Sequence, residues 1–460
     1  MANKWDVDMA VSSARRALDG WSIDTTMKER RYLVSRLLFF LYKTNAEEMA
    51  RLVMHEMGAP IDFAHDSQVA AGADVMEQFY DDTGRGGNFE ESYVLDEEMD
   101  TIIFKEPIGV VAAITPWNWP LNQIALKVIP ALLVGCTVIL KPSERAPLSA
   151  LFFAELMHRA GFPPGVFQLV NGHGPYHAGE WLASHPNVDM VSFTGSTRGG
   201  GLVSLAAAPT SKRVSLEMGG KRANLIFDHI VQERGVLTEL IGAVRGGVWD
   251  VMTNSGQTCD APTRMLVHAE YWDHALREAK RAAEGIRVGP AHFTGDHIGP
   301  VVSKDQYDRV QGYTRSGIEE GATLLTGGPG RPAGIDDDYR DGYYVRPTIF
   351  ANCKPGMRIW EEEIFGPVLC MAKFSTEEEA VRLANDSVYG LARYVQSYDG
   401  DRRRRLARRL KVGMIIMNQA GMSGSAPFGG VKQSGNSREG GIWGLEDFCT
   451  VKAISGLTYD

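Results

Sequence analysis

The chain has 460 residues, 44% of them hydrophobic, which is enough to bury large cores and to divide into roughly two to four domains. A net charge of −9 and a pI near 5.7 argue against nucleic acid or an anionic membrane as the main partner. The longest apolar run, Ala131 to Leu140, is too short to cross a bilayer, and the first ten residues lack the basic-then-apolar pattern of a secretory signal. The five cysteines, at 136, 259, 353, 370 and 449, include no C-x-x-C pair and are odd in number. Neither a zinc site nor a disulfide framework is expected, and a reducing cytoplasm is the expected location.

In chain order, Val7 to Tyr80 reads as helical. Leu33, Leu37, Leu41 and Met49 recur at helical spacing between Arg31 and Val53. Ser92 to Lys105 alternates like a protruding hairpin. From Ile108 onward short apolar strands alternate with helices. Val110–Ile114, Thr137–Leu140, Phe167–Val170 and Met190–Phe193 are the strand candidates, and the pattern predicts βαβ units in a parallel sheet. A second α/β stretch runs from Gly220 to Phe428, and Gly327 to Gly334 reads as a surface loop. The basic run Arg402–Arg405, with Arg408 and Arg409, carries Leu406 and Leu410 four apart. It is read as an amphipathic helix with a solvated basic face, not a nucleic-acid site.

Several residues have the chemistry of a reactive centre. Cys259 follows the turn Asn254-Ser255-Gly256-Gln257-Thr258 and could act as a nucleophile, although a lone cysteine is more often a packing residue. Glu217 stands near Gly219 and Gly220, where backbone can approach a ligand. Partial burial would make it a general base; the plainer alternative is an exposed glutamate paired with Lys221. Asn118 sits in the stiff turn Thr115-Pro116-Trp117-Asn118-Trp119-Pro120, suited to an amide that aims one hydrogen bond at an oxyanion. It could equally satisfy the turn backbone. Phe193-Thr194-Gly195-Ser196-Thr197 is a strand end entering a helix, with free N–H groups for an anion. No G-x-G-x-x-G is present, so the usual dinucleotide fingerprint is missing. Lys141 and Glu144 follow directly on a candidate strand, at the carboxyl end where open sheets bind ligands.

Taken together, these segments resemble the aldehyde dehydrogenase superfamily. The resemblance also takes in Glu217-Met218-Gly219-Gly220-Lys221, Glu362-Glu363-Ile364-Phe365-Gly366-Pro367 and Pro427 to Gly435, in the family's order and over nearly the whole chain. It implies an α/β fold with a Rossmann-like cofactor domain (1–87 and 107–219), an α/β catalytic domain (220–435) and a small β oligomerisation flap (88–106 with 436–460). It further implies NAD as cofactor, a small-molecule aldehyde as substrate, and a homodimer or homotetramer.

The resemblance also implies roles. Cys259 would be the nucleophile, Glu217 the general base, and Asn118 with the Cys259 N–H the oxyanion hole. Lys141 and Glu144 would hold the adenosine ribose, Ser196 the pyrophosphate and Glu363 the nicotinamide ribose. Phe365, Thr194, Gly195 and Met218 would lie near the nicotinamide half. Thr115, Pro116, Trp117 and Gly172 complete the expected cofactor set. Trp119, Asn122, Gln123, Leu126, Thr258 and Asp260 would line the aldehyde tunnel. That wall lacks a cation, so neutral or cationic aldehydes are expected over carboxylate-bearing ones. An inward-facing Asp260 would add like-charge repulsion; the alternative is that Asp260 turns outward to pair with Arg264 and tells nothing about substrate. Met218 and Trp119 stand where leucine and phenylalanine are more usual. The match begins almost at the family's first helix, where members usually carry a further segment, and any effect is expected on assembly or stability. Two alternatives remain open: a CoA-acylating enzyme of the same fold, and a catalytically inactive structural or binding member.

Overall fold

The computed structural model describes residues 1–84, 89–96, 101–228 and 236–456. Helices fill the chain up to Asp82, and the first two begin with reciprocal caps. Asn3 and Asp6 cap Lys4–Ser22, and Thr26 and Glu29 cap Met27–Ser35, each pair satisfying two otherwise free backbone donors. The stretch from Arg31 to Val53 is helical throughout but not one regular helix. Arg36–Tyr42 widens into a π-helix, and Lys43–Asn45 tightens before Ala46–Met57 resumes. The widened turn accommodates a run of large side chains and lets the buried Tyr42 hydroxyl donate to the Val69 carbonyl at 3.0 Å.

Seventeen strands follow among the described residues: β1 (Ser92–Asp96), β2 (Thr101–Pro107), β3 (Val110–Ile114), β4 (Thr137–Lys141), β5 (Phe167–Leu169), β6 (Met190–Gly195), β7 (Arg213–Met218), β8 (Ala223–Ile226), β9 (Arg264–His268), β10 (Thr323–Thr326), β11 (Thr348–Ala351), β12 (Val368–Phe374), β13 (Tyr389–Gly390), β14 (Ala392–Gln396), β15 (Met414–Met417), β16 (Val431–Lys432) and β17 (Cys449–Ser455). The first large sheet has the order β5-β4-β3-β6-β7 and is wholly parallel. Its order reverses between β3 and β6, the switch point where open α/β sheets leave a ligand crevice beyond the strand carboxyl ends. The second sheet, β10-β11-β12-β9-β8-β14-β15, is parallel except for β10. β1, β2 and β17 form a small antiparallel sheet, so the expected hairpin does join the C-terminal strand. The hairpin's turn, 97–100, lies outside the described residues.

Helix Pro120–Val134 packs under the first sheet with nearly every side chain buried, and Gly135 ends it at φ +102°. The apolar run from Ala131 to Leu140 is therefore a helix end, a left-handed cap and then β4. No described helix is long and apolar enough to cross a membrane. The basic run forms helix Gly400–Arg409 with Leu406 buried beneath it. Its basic face is solvated, with Arg404, Arg405 and Arg408 exposed, and Arg402, Arg405 and Arg409 also reach Glu377.

Arg264, at the start of β9, is fully buried and makes no ion pair with a carboxylate among the described residues. Its guanidinium donates to the carbonyls of Lys221, Leu383, Ala384 and Asp386 at 2.9–3.3 Å. Those groups are mostly the carbonyl end of helix Glu377–Asn385, where a cation is favoured. Arg264→Met keeps the stem but strands these carbonyls in the core. A stability loss of about 3 kcal/mol or more is expected, read as a lowered urea midpoint; a midpoint equal to wild type would remove Arg264 from this role.

Candidate active site

The carboxyl ends of β3, β6 and β7 meet the segments that lead into β9 and β12, and a cavity of about 180 Å³ lies between them. Pro116, Trp117, Asn118, Thr194, Gly195, Ser196, Met218 and Gly219 wall it from the first half, and Gln123 from the helix below. Cys259, Gln306, Arg309, Glu363 and Phe365 wall it from the second. Trp117 and Phe365 meet edge to face at 5.5 Å, one ring from each half.

The nucleophile candidate sits on a strained turn. Asn254, Ser255 and Gly256 all have positive φ, at +55°, +55° and +74°. Asparagine tolerates that region and serine less well, so the turn holds only because its surroundings enforce it. A Cβ on Gly256 would lie 2.0 Å from the Gly366 backbone, so only glycine lets these segments touch. Hydrogen bonds hold the rest. Asn118 Nδ2 donates to the Gln257 carbonyl at 3.0 Å, and Asn254 Nδ2 donates to the Asn118 carbonyl at 3.0 Å. Gln68 Nε2 donates to the same Asn118 carbonyl at 3.0 Å. The Gln257 side chain bridges to Val302 N at 2.9 Å. Asn118 thus spends one of its two N–H bonds on the loop that leads to Cys259 and keeps the other.

Cys259 is half-buried on the cavity wall, while Cys136, Cys353, Cys370 and Cys449 are buried packing residues. Burial pushes the Cys259 thiol up to about 12; Arg222 opposes the rise, while Glu217, Glu363 and Glu439 add to it. Glu217 ends β7 and is wholly buried, just behind the cavity wall formed by Met218 and Gly219. It is neither exposed nor paired with Lys221. Its nearest polar partner is Ser437 Oγ at 3.5 Å, and its second oxygen has no protein partner among the described residues. Burial first, then the charge of Glu439, holds the Glu217 carboxyl well above the usual carboxylate range; Arg222, Lys127 and Arg438 pull the other way.

The cofactor candidates surround the same cleft. Ser196 caps helix Thr197–Ala207 by accepting from Gly199 N at 3.1 Å, which leaves other first-turn amides free. Glu363 Oε1 accepts from Gly220 N at 2.9 Å, and a Cβ on Gly219 would lie 2.2 Å from Glu363 Oε2. Lys141 and Glu144 lie 3.6 Å apart at the end of β4. The Thr115 and Thr194 hydroxyls are buried without a protein partner among the described residues. Gly172 packs closely against Ala178. An apolar pocket of about 350 Å³ continues beyond β3 and β6, walled by Ile114, Pro175, Phe193, Leu202 and Val203 among others. Anion-binding amides, a ribose-sized pair of charges and an apolar slot match the parts of a dinucleotide.

The expected tunnel residues separate. Gln123 reaches the cavity wall with its Oε1 unpartnered among the described residues. Trp119 packs on Phe63 at 5.6 Å and donates to Thr258 Oγ1 at 3.2 Å. Asn122 turns back to the Ala71 carbonyl at 3.4 Å, and Leu126 packs in the core below. Asp260 does not pair with Arg264, which is committed to carbonyls; it pairs with the buried Arg222 at 3.4 Å.

Other residues at this site gave no sequence signal that was read. Lys127 and Glu439 form a buried ion pair whose carboxylate bears on Glu217. Lys127 is the single charge in the apolar helix Pro120–Val134, and that was a usable signal. Glu439, in a glycine-rich coil, offered none. Gln306 and Arg309 lie on helix Lys304–Glu319, and Arg309 Nη2 holds the Glu363 carbonyl at 2.6 Å.

Comparison with known proteins agrees with this geometry. The aldehyde dehydrogenase family model matches residues 1–454. A 3-succinoylsemialdehyde-pyridine dehydrogenase from a Pseudomonas species is 47% identical over 98% of this chain and 90% of its own length. The crystal structure of aldehyde dehydrogenase from Bartonella henselae, 49% identical, superposes with a TM-score of 0.93 over 99% of this chain and 92% of that one. Aldehyde dehydrogenase C from Pseudomonas syringae, a cysteine-to-alanine mutant in complex with NAD+ and octanal, is 44% identical with a TM-score of 0.93, covering 99% and 90%. The chain belongs to the aldehyde dehydrogenase family and is an NAD-dependent aldehyde dehydrogenase.

Proposed function

We propose that Cys259 is the nucleophile, that Glu217 activates the hydrolytic water, and that the product is the free carboxylic acid. The observation that carries this reading is that Asn118 and Cys259 line one cavity from its two halves, while Glu217, its pKa raised by burial, lies buried next to the lining residues Met218 and Gly219. Loss of the Cys259 proton lets sulfur bond to the aldehyde carbon. The oxygen that becomes negative accepts from the remaining Asn118 N–H and from the Cys259 amide. NAD, when bound, accepts the hydride that leaves this carbon. Cys259 is then left as a thioester. Glu217, once deprotonated, takes a proton from water; the water oxygen bonds to the acyl carbon, the C–S bond breaks and the thiol is restored. A buried base behind the thioester favours water over CoA as the acceptor. Lys141 and Glu144 would hold the adenosine ribose, Ser196 the pyrophosphate and Glu363 the nicotinamide ribose. The apolar pocket would take the adenine.

Cys259→Ser should abolish turnover, because a serine without an adjacent base is a poor nucleophile. Glu217→Gln should give an NADH burst followed by slow turnover, with an acyl adduct on the intact protein by mass spectrometry. Since the Glu217 pKa is raised and the carboxylate is the active form, wild-type kcat should rise with pH through a limb above the usual glutamate range. Glu217→Gln should lose that limb. Unchanged steady-state turnover in this variant would remove Glu217 from the role.

The substrate reading is a neutral aliphatic or aromatic aldehyde. Trp119 packs on Phe63 beside Thr258, Gln123 on the cavity wall is uncharged, Arg309 on that wall is engaged by the Glu363 carbonyl, and Arg222 lies beside Asp260. The octanal of the Pseudomonas syringae complex and the pyridine in the name of the Pseudomonas relative fit that class. Hexanal and benzaldehyde should show a kcat/KM about tenfold or more above succinic semialdehyde. A preference for the semialdehyde would defeat this reading.

For the cofactor, a carboxylate at Glu144 would repel the 2′-phosphate of NADP. NAD should therefore have the higher kcat/KM, and Glu144→Ser should narrow the ratio; a higher value for NADP in wild type would contradict the assignment. We also infer a homo-oligomer, supported by the exposed Tyr93, Val94, Leu95 and Val451 on the small sheet. A cytoplasmic location is supported by the five free thiols.

A further inference from the structure

Arg222 immediately precedes β8 and is fully buried, with its backbone carbonyl held by Arg264 N at 2.9 Å. Its guanidinium spends one nitrogen: Nη1 lies 3.4 Å from Asp260 Oδ2 and 3.5 Å from the Tyr394 hydroxyl. Nε and Nη2 are buried with no protein partner among the described residues. Tyr394, on β14, pairs in register with Asn224, two residues beyond Arg222, so both side chains leave the sheet on one face. The Tyr394 hydroxyl donates to the Asp260 carbonyl at 3.0 Å. Asp260 is thus gripped twice, by its carboxylate and by its backbone, and it is the residue next to Cys259. A Cβ on Gly220 would lie 3.2 Å from the Cys259 carbonyl oxygen and 3.6 Å from Arg222 Cγ, so Gly220 has both the nucleophile's backbone and the arginine stem close beside it.

A buried guanidinium with unused donors is costly unless negative charge stands near it. Asp260 supplies a part, but its side chain is 39% exposed and therefore screened by solvent. The other charge that forms here is the Cys259 thiolate. Its surroundings are otherwise acidic: Glu217 at the end of β7, Glu363 before β12 and Glu439 in the C-terminal coil all disfavour it, and Arg222 opposes them. Asp250, on helix Val236–Met252, bears on Tyr394. Lys127 is engaged by Glu439, and Arg309 on the cavity wall donates to the Glu363 carbonyl.

We propose that Arg222 and Tyr394 form a two-point clamp on Asp260 that positions Cys259, with the Arg222 charge sustaining its thiolate. This positioning role rests on Cys259 being the nucleophile. The test is the rate of Cys259 alkylation by iodoacetamide from pH 6 to 10, read by mass spectrometry beside steady-state kinetics. Arg222→Gln should displace the alkylation curve to higher pH by about one unit, making alkylation about tenfold slower at each pH below the midpoint. Arg222→Lys, which keeps the charge, should restore the curve. Tyr394→Phe should leave the curve in place and lower kcat several-fold with KM for NAD unchanged. A wild-type curve in folded Arg222→Gln would overturn the proposal. If that variant does not fold, wild-type kcat in Tyr394→Phe overturns it. Full turnover by Cys259→Ser would instead defeat the nucleophile assignment itself; a dead Cys259→Ser beside wild-type behaviour in the clamp variants would defeat the clamp alone.

Discussion

The Asn118 amide joins the two halves of the molecule. Its carbonyl receives Gln68 and Asn254, and its side chain donates to Gln257. All four residues are buried, so none of these bonds has water as a substitute, and losing one leaves a polar group stranded. Asn118 follows β3 of the first sheet, whereas Asn254 and Gln257 belong to the turn that presents Cys259. One short network therefore sets the distance between the end of β3 and Cys259. It also keeps Asn254 and Ser255 in left-handed backbone they would not otherwise hold.

Around that network, burial separates the roles of chemically similar groups. Glu217 and Glu363 are both glutamates near one cavity. Glu363 accepts a backbone N–H and presents its oxygens to the cleft. Glu217 lies deeper, beside the Lys127–Glu439 pair, and its proton is held more tightly. The first arrangement suits holding hydroxyl groups, and the second suits taking a proton from water. Arg222 provides the positive charge that opposes these carboxylates at Cys259.

Much of the frame was legible from residue pattern. Val110–Ile114, Thr137–Leu140, Phe167–Val170 and Met190–Phe193 each became a strand within a residue or two, because a parallel strand buried on both faces needs an unbroken apolar run. The helical start was legible too, but its π and 3-10 turns were not. Those depend on which neighbour Tyr42 can reach, and spacing along one segment carries no such information. The same limit explains Asp260. Four-residue spacing suggested Arg264 as its partner, yet Arg264 is drawn into the core by the carbonyls of a helix more than a hundred residues away.

By itself the sequence determined the α/β alternation, the ordered set of motifs and therefore Cys259, Glu217 and Asn118 as residues of interest, since each rests on local residue type and order. Tertiary structure decided how deeply Glu217 is buried, that Lys127 and Glu439 stand behind it, that Gln306 and Arg309 complete the cleft, and that Arg222 holds Asp260. These depend on distances between segments far apart in the chain and on the dielectric that burial creates. Only the packed fold sets either of them.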